Sequence, residues 1–176
     1  MSKQITLHNT EDIEKEIKKL RLSAKKSQLK LNDICGYSDP LELLNKFKFE
    51  KIGCDPLDNQ RPLNFIEQLN QTFTYLASFK AASILFEMHP GLTSMTLNLG
   101  TRAGSDIESD FDDGIAAEVF AAVNPKSNNK LKKDIQKVSA VNVKHKYVFF
   151  MCPNIKKVLY QNIIKNGVVV WSVGYE

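Results

Sequence analysis

At 176 residues the chain is long enough to bury one core without disulfides, and its net charge of +4 is too small to define a partner by itself. No apolar run approaches the ~20 residues of a bilayer-spanning helix, and Met1 to Thr6 lack the apolar stretch of a signal peptide, so a cytoplasmic protein with no membrane association is expected. The three cysteines and three histidines are scattered without disulfide-framework or zinc spacing, which argues against a zinc enzyme.

The first segment, residues 1–60, reads as a helical N-terminal arm. Thr10 precedes Glu11, Asp12 and Glu14, an N-cap followed by acids where the helix dipole favours them. Ile13, Ile17 and Leu20 form an apolar stripe among lysines. Gly36 and Ser38-Asp39-Pro40 break it, and a shorter helix begins at Leu41. A connector rich in Pro, Asp and Asn runs from Cys54 to Pro62.

The remaining residues, 61–176, read as an α/β core within the same compact domain. Asn64 and Glu67 have capping-box spacing, and no Gly or Pro interrupts the chain from there to Met88. Phe65, Leu69, Phe73, Leu76, Phe79 and Ile84 recur at helical spacing, so one long helix is expected, stopped at His89-Pro90-Gly91. The period then changes. Met95, Leu97 and Leu99 alternate with polar residues as in a half-buried strand. A short strand at 105–108, an acidic turn closed by Gly114 and a buried strand at 115–123 follow. Ser127 or Asn128 caps a helix with the apolar line Leu131, Ile135 and Val138. Tyr147 to Met151 reads as a core strand, 155–164 as a helix and 168–173 as the last strand.

Charge is segregated along this half. Asp106, Glu108, Asp110, Asp112, Asp113 and Glu118 lie in a stretch without lysine or arginine. Lys126, Lys130, Lys132, Lys133, Lys137, Lys144, Lys146, Lys156 and Lys157 follow, with Asp134 the single acid among them. Carboxylates suit a divalent cation and ammonium groups suit phosphate, the two halves of a metal-dependent phosphodiester site. A hairpin centred on Asp112 sets Asp106 opposite Glu118, because both are equally far from it. Cross-strand Cβ atoms lie about 4.5–5.5 Å apart, close enough for two carboxylates to share one Mg²⁺. Glu118 interrupts an otherwise apolar run, and a buried carboxylate needs a cation or several hydrogen bonds.

The order helix, strand, strand, strand, helix, strand, with Gly104-Ser105-Asp106-Ile107 and Ala117-Glu118-Val119-Phe120 on the second and third strands, resembles the PD-(D/E)XK, or restriction-endonuclease-like, nuclease superfamily. The resemblance covers about Leu63 to Met151. It implies a central mixed β-sheet flanked by helices and a Mg²⁺- or Mn²⁺-dependent endonuclease acting on DNA. Asp106 and Glu118 are the implied metal ligands, with Glu87 as a further carboxylate from the first core helix. The family's strand lysine falls at Phe120. Some members supply that group from a neighbouring element, and Lys130, flanking the apolar line of the following helix, is the expected substitute. Lys126, Lys130, Lys133 and Lys137 are the expected contacts to the DNA backbone. A type II enzyme usually acts as a homodimer, with the arm as a dimer contact or a DNA clamp.

An EF-hand beginning at Asp106 is excluded by Phe111 and Ala117, which stand where it needs Gly and Glu. Neither a P-loop, a dinucleotide-binding glycine motif nor a nucleophile elbow is present, and Arg61 and Arg102 are generic phosphate contacts. The alternative reading, favoured by Phe120, is a catalytically inactive protein of the same fold that binds nucleic acid or a protein partner.

Overall fold

The computed structural model describes residues 3–34, 36, 39–100, 104–160 and 167–175. Its elements in chain order are β1 (Lys3–Leu7), α1 (Thr10–Ile34), α2 (Pro40–Phe49), β2 (Gly53–Cys54), β3 (Pro62–Leu63), α3 (Phe65–Met88), β4 (Met95–Leu99), β5 (Ile107–Ser109), β6 (Ile115–Ala121), α4 (Lys130–Ser139), β7 (His145–Met151), β8 (Val158–Leu159) and β9 (Val168–Ser172). Short 3₁₀ turns at Phe111–Asp113 and Ser127–Asn129 precede β6 and α4. The chain is α/β, with a mixed sheet of seven strands in the order β1-β4-β5-β6-β7-β9-β8.

The chain divides into two compact units, and the divisions fall inside α1 and α3. The first unit holds residues 1–13 and 77–176, and with them the whole seven-stranded sheet. Strands β1, β4, β5 and β6 pair antiparallel in succession, whereas β6, β7 and β9 run parallel to one another and β8 returns antiparallel. Parallel neighbours need a crossover. Helix α4 supplies it between β6 and β7, burying Leu131, Ile135 and Val138 against Ala116, Phe120, Val148, Phe150, Val168 and Val170. The opposite-facing residues Ala117, Val119, Tyr147 and Phe149 are also buried, so β6 and β7 have two dry faces.

The second unit, residues 14–76, is built around a buried polar network. Cys54 N–H donates to Gln68 Oε1 at 3.1 Å, Gln68 Nε2 donates to Ser23 Oγ at 3.0 Å, and Ser23 Oγ also meets Cys54 Sγ. Fully buried Asp55 pairs with Arg61 at 2.9 Å. Helix α2 buries no residue and leaves Leu41, Leu44 and Phe49 exposed.

Several elements differ from expectation. Residues 3–7 form a sheet strand rather than part of a helical arm, and the 54–62 connector is flanked by the two-residue ladder of β2 and β3. The first helix is capped by Asn9, whose Oδ1 accepts Asp12 N–H at 3.0 Å, one position before Thr10. At α4 neither Ser127 nor Asn128 makes a side-chain cap; Asn129 occupies the N-cap position, left-handed at φ 55°. Within 155–164, Val158–Leu159 form the edge strand β8 where a helix is expected; residues 161–166 lie outside the described residues. The capping role of Asn64 is seen directly: its Oδ1 accepts Glu67 N–H at 2.8 Å. No described helix is long and apolar enough to cross a membrane.

Candidate functional site

Strands β5 and β6 are joined by the acidic turn, whose geometry depends on residues that tolerate positive φ. Asp112 and Asp113 sit at φ 47° and 62°, and Gly114 at 96°. The turn is tied down by its own charge, with Asp112 accepting from Lys144 Nζ at 2.7 Å and lying 2.9 Å from His145 Nε2. The Lys144 and His145 bonds hold the Asp112 carboxyl below its usual range. The resulting register pairs Ile107 with Ala117, Glu108 with Ala116 and Ser109 with Ile115. One further step sets Asp106 opposite Glu118.

Both carboxylates are held by the chain. Asp106 Oδ2 accepts the backbone N–H of Val119, the residue after Glu118, at 2.7 Å. Burial raises the Asp106 carboxyl above its ordinary value, with the Val119 bond and the Lys137 and Lys130 charges opposing that rise. Glu118, on the α4-facing side of β6, is only 2% exposed. Its Oε2 accepts Lys137 Nζ at 2.8 Å, whereas Oε1 is buried without a hydrogen-bond partner among the described residues. Desolvation pushes the Glu118 carboxyl up to about 7, against the Lys137 bond and with repulsion from Asp106 and Asp134 adding to the rise.

Helix α4 brings up a third acid, which sequence reasoning missed. Asp134 is 3% exposed on the sheet-facing side of the helix; Lys130 Nζ donates to its Oδ1 at 2.7 Å, and its Oδ2 is buried with no partner among the described residues. Burial raises this carboxyl too, opposed by Lys130. Lys130, Asp134 and Lys137 are spaced i, i+4, i+7 and therefore share one stripe of the helix. That stripe, and a lone acid within a lysine-rich helix, were the available signals. For Lys137, burial depresses the ammonium's pKa, but the Glu118 hydrogen bond and the charges of Glu118, Asp106 and Asp134 outweigh it and raise the value above normal.

The expected substitute lysine therefore takes a different position. Lys130 is engaged by Asp134, with its Nζ 5.9 Å from the centre of the Phe120 ring, and the ammonium that reaches Glu118 belongs to Lys137. Phe120 is buried and stacks on Phe150 in the core beneath α4. Glu87 is exposed and forms an ion pair with Lys157 at 2.6 Å. Among the described residues no group of three or more His, Cys, Asp or Glu side chains is arranged to hold a metal ion. Lys126 and Lys133 are solvent-exposed, as is Lys132. Arg102 and Cys35 lie outside the described residues.

The remaining acids have structural partners. Glu108 Oε1 accepts Ser105 N–H at 2.8 Å and its Oε2 accepts Asn98 Nδ2 at 3.2 Å, closing the loop before β5. Two histidines that look isolated in the sequence are neighbours in space. The His89 and His145 rings are 4.7 Å apart, and His89 Nε2 lies 2.9 Å from Tyr147 Oη. Burial, with His145 adding to it, lowers the pKa of His89.

No protein-family model matches the chain, and comparisons with curated proteins and with solved structures return no significant match.

Proposed function

We propose that the chain is a metal-dependent nuclease of the restriction-endonuclease-like type, acting on DNA, with its centre at Asp106, Glu118 and Lys137. The observation that carries this reading is Glu118: a carboxylate 2% exposed, with one oxygen on Lys137 and the other without a hydrogen-bond partner among the described residues. A buried polar group without a partner costs about 1–3 kcal/mol, and an oxygen of this kind suits a hard cation with oxygen ligands. The order α3-β4-β5-β6-α4-β7 and the antiparallel β4-β5-β6 meander followed by a parallel β7 also support it.

Asp106 and Glu118 are the residues that would hold Mg²⁺ or Mn²⁺. Two protein carboxylates are enough for Mg²⁺, which usually keeps several waters and takes substrate phosphate as a further ligand. When bound, such an ion polarises the scissile phosphate and lowers the pKa of a coordinated water. The protein's own residues do the rest. The Val119 amide fixes the Asp106 carboxylate, and Lys137 brings a positive charge to Glu118 from the helix, where the family's strand lysine is replaced by Phe120. Lys130 neutralises Asp134 and so keeps a third buried acid from adding its full repulsion to the pair.

Helix α4 supports contact with the phosphate backbone. Lys130, Lys132 and Lys133 fill its first turn, where the helix dipole favours acids, and no side chain caps its N-terminus. A bound phosphate offsets that local conflict. Lys126, in the segment leading to the helix, extends the same basic surface.

The test is cleavage of plasmid and linear DNA with Mg²⁺ or Mn²⁺ by the wild type, Asp106→Asn and Glu118→Gln. Metal-dependent cuts lost in both variants support the reading. DNA binding without cleavage moves the assignment to the inactive binding module, for which the buried, core-packed Phe120 is the specific observation. Absence of both cleavage and metal binding defeats the nuclease reading.

A further inference from the structure

The Glu118–Lys137 contact joins a half-exposed ammonium to a buried carboxylate across two elements, β6 and α4. Lys137 Nζ donates to Glu118 Oε2 at 2.8 Å, and the charges of Asp106 and Asp134 also favour its charged form. Lys130 has its own partner in Asp134. Lys132 and Lys133 are exposed, and no ion pair of theirs is found among the described residues.

Resting on the metal-site reading above, we propose that Lys137 is an internal stand-in for the divalent cation: it occupies Glu118 in the metal-free protein and is displaced when the metal enters. Two positive charges cannot share one buried carboxylate without strong repulsion, since like charges a few ångströms apart are poorly screened in a partly desolvated site. Asp106 and Glu118 would hold the metal together, and Glu118 Oε1, which Lys137 leaves without a partner among the described residues, would be open to it. The lysine, with a flexible four-carbon stem, swings away at little cost in packing. The released ammonium is then available to the phosphate or to the attacking water. Metal loading thereby frees the one cation that the chemistry needs, and the unloaded protein keeps it bound.

The experiment is isothermal titration of Mn²⁺ into DNA-free protein, comparing the wild type with Lys137→Met, Lys137→Gln and Lys133→Met. Lys137→Met and Lys137→Gln bind Mn²⁺ about tenfold more tightly than the wild type, an effect of the size expected when one ion pair no longer competes. Lys133→Met removes the same charge from the same helix and changes affinity by less than about twofold. The glutamine variant keeps a donor for Glu118 and guards against loss of fold. In the wild type, Mn²⁺ also raises the rate at which an amine-acylating reagent labels Lys137, read by mass spectrometry, and leaves Lys133 unchanged. Wild-type binding of Mn²⁺ with equal or weaker binding by both Lys137 variants overturns the stand-in while leaving the metal site intact. Failure of every folded variant to bind Mn²⁺ overturns the site itself, and the stand-in with it.

Discussion

Lys137 and Glu118 form an ion pair of 2.8 Å between the last turn of α4 and the middle of β6, with the carboxylate buried and the ammonium half in solvent. This contact makes Lys137, rather than Lys130, the ammonium that reaches Glu118.

The lysines of α4 should separate by role. Lys137→Met lowers the rate of metal-dependent cleavage by about 10²–10³, the usual cost of removing one preorganised charge from a reaction centre. Lys130→Ala acts mainly on the fold, leaving the buried Asp134 unpaired and costing about 1–3 kcal/mol of stability. Steady-state cleavage together with thermal melts distinguishes the two. Equal losses of rate in variants of unchanged stability would contradict the division.

Stability should fall as pH rises. The folded-state pKa of Glu118 lies above its ordinary value, so its stabilising share is fully present below 4.5 and is lost as pH climbs through about 7. Asp106 and Asp134 shift in the same direction, through the same burial. Each proton held more tightly by the folded state gives about 1.4 kcal/mol per pH unit. Glu118→Gln flattens this slope and raises stability at pH 8 by about 1–3 kcal/mol, while metal binding is lost. Melting curves from pH 5 to 8 check it; a wild-type melting temperature that climbs across that range would reverse the sign.

DNA binding should weaken with salt in proportion to the phosphates met. If Lys126, Lys132 and Lys133 each meet one phosphate, log K falls with log salt at a slope of about −2.7. Replacing any one of them by Ala reduces the slope by about 0.9 and weakens all sequences alike. Fluorescence anisotropy at several salt concentrations measures this, and a flat profile rules out the basic surface of α4 as the contact.

Gly114 controls the hairpin register. A Cβ at this residue would meet Val143 Cγ1 at 2.7 Å, and its φ of 96° is costly for any side chain. Gly114→Ala should destabilise by about 1–3 kcal/mol and lower cleavage further by shifting Asp106 relative to Glu118. Thermal melts and cleavage below the melting transition check both effects.

The Asp106–Glu118 pairing was legible in the sequence because hairpin register is local: two residues equidistant from Asp112 end on one face of adjacent strands. Which lysine of α4 reaches Glu118 was not. Lys130 and Lys137 each precede a member of the apolar line, Leu131 and Val138, so helical periodicity treats them alike. Only the height of α4 over β6 separates them, and that is set by packing across the sheet. Asp134 was hidden for the same reason, since a single acid among lysines reads as solvated until tertiary contact buries it. Strand β1 escaped because its five residues, KQITL, carry a weak alternation and its partner is far along the chain. The 155–164 segment shows the reverse error, a helical pattern overridden where Val158–Leu159 pair with the edge of β9.

The pairing of β1 with β4 also sets a clock on synthesis. Lys3 is paired with Leu99, so the first strand leaves the ribosome long before its partner exists. At about 5–20 residues per second the wait is on the order of 5–20 s. Throughout that interval the nascent chain holds an unmatched sheet edge, and the order of translation, rather than the strength of any contact, determines when the sheet can be completed.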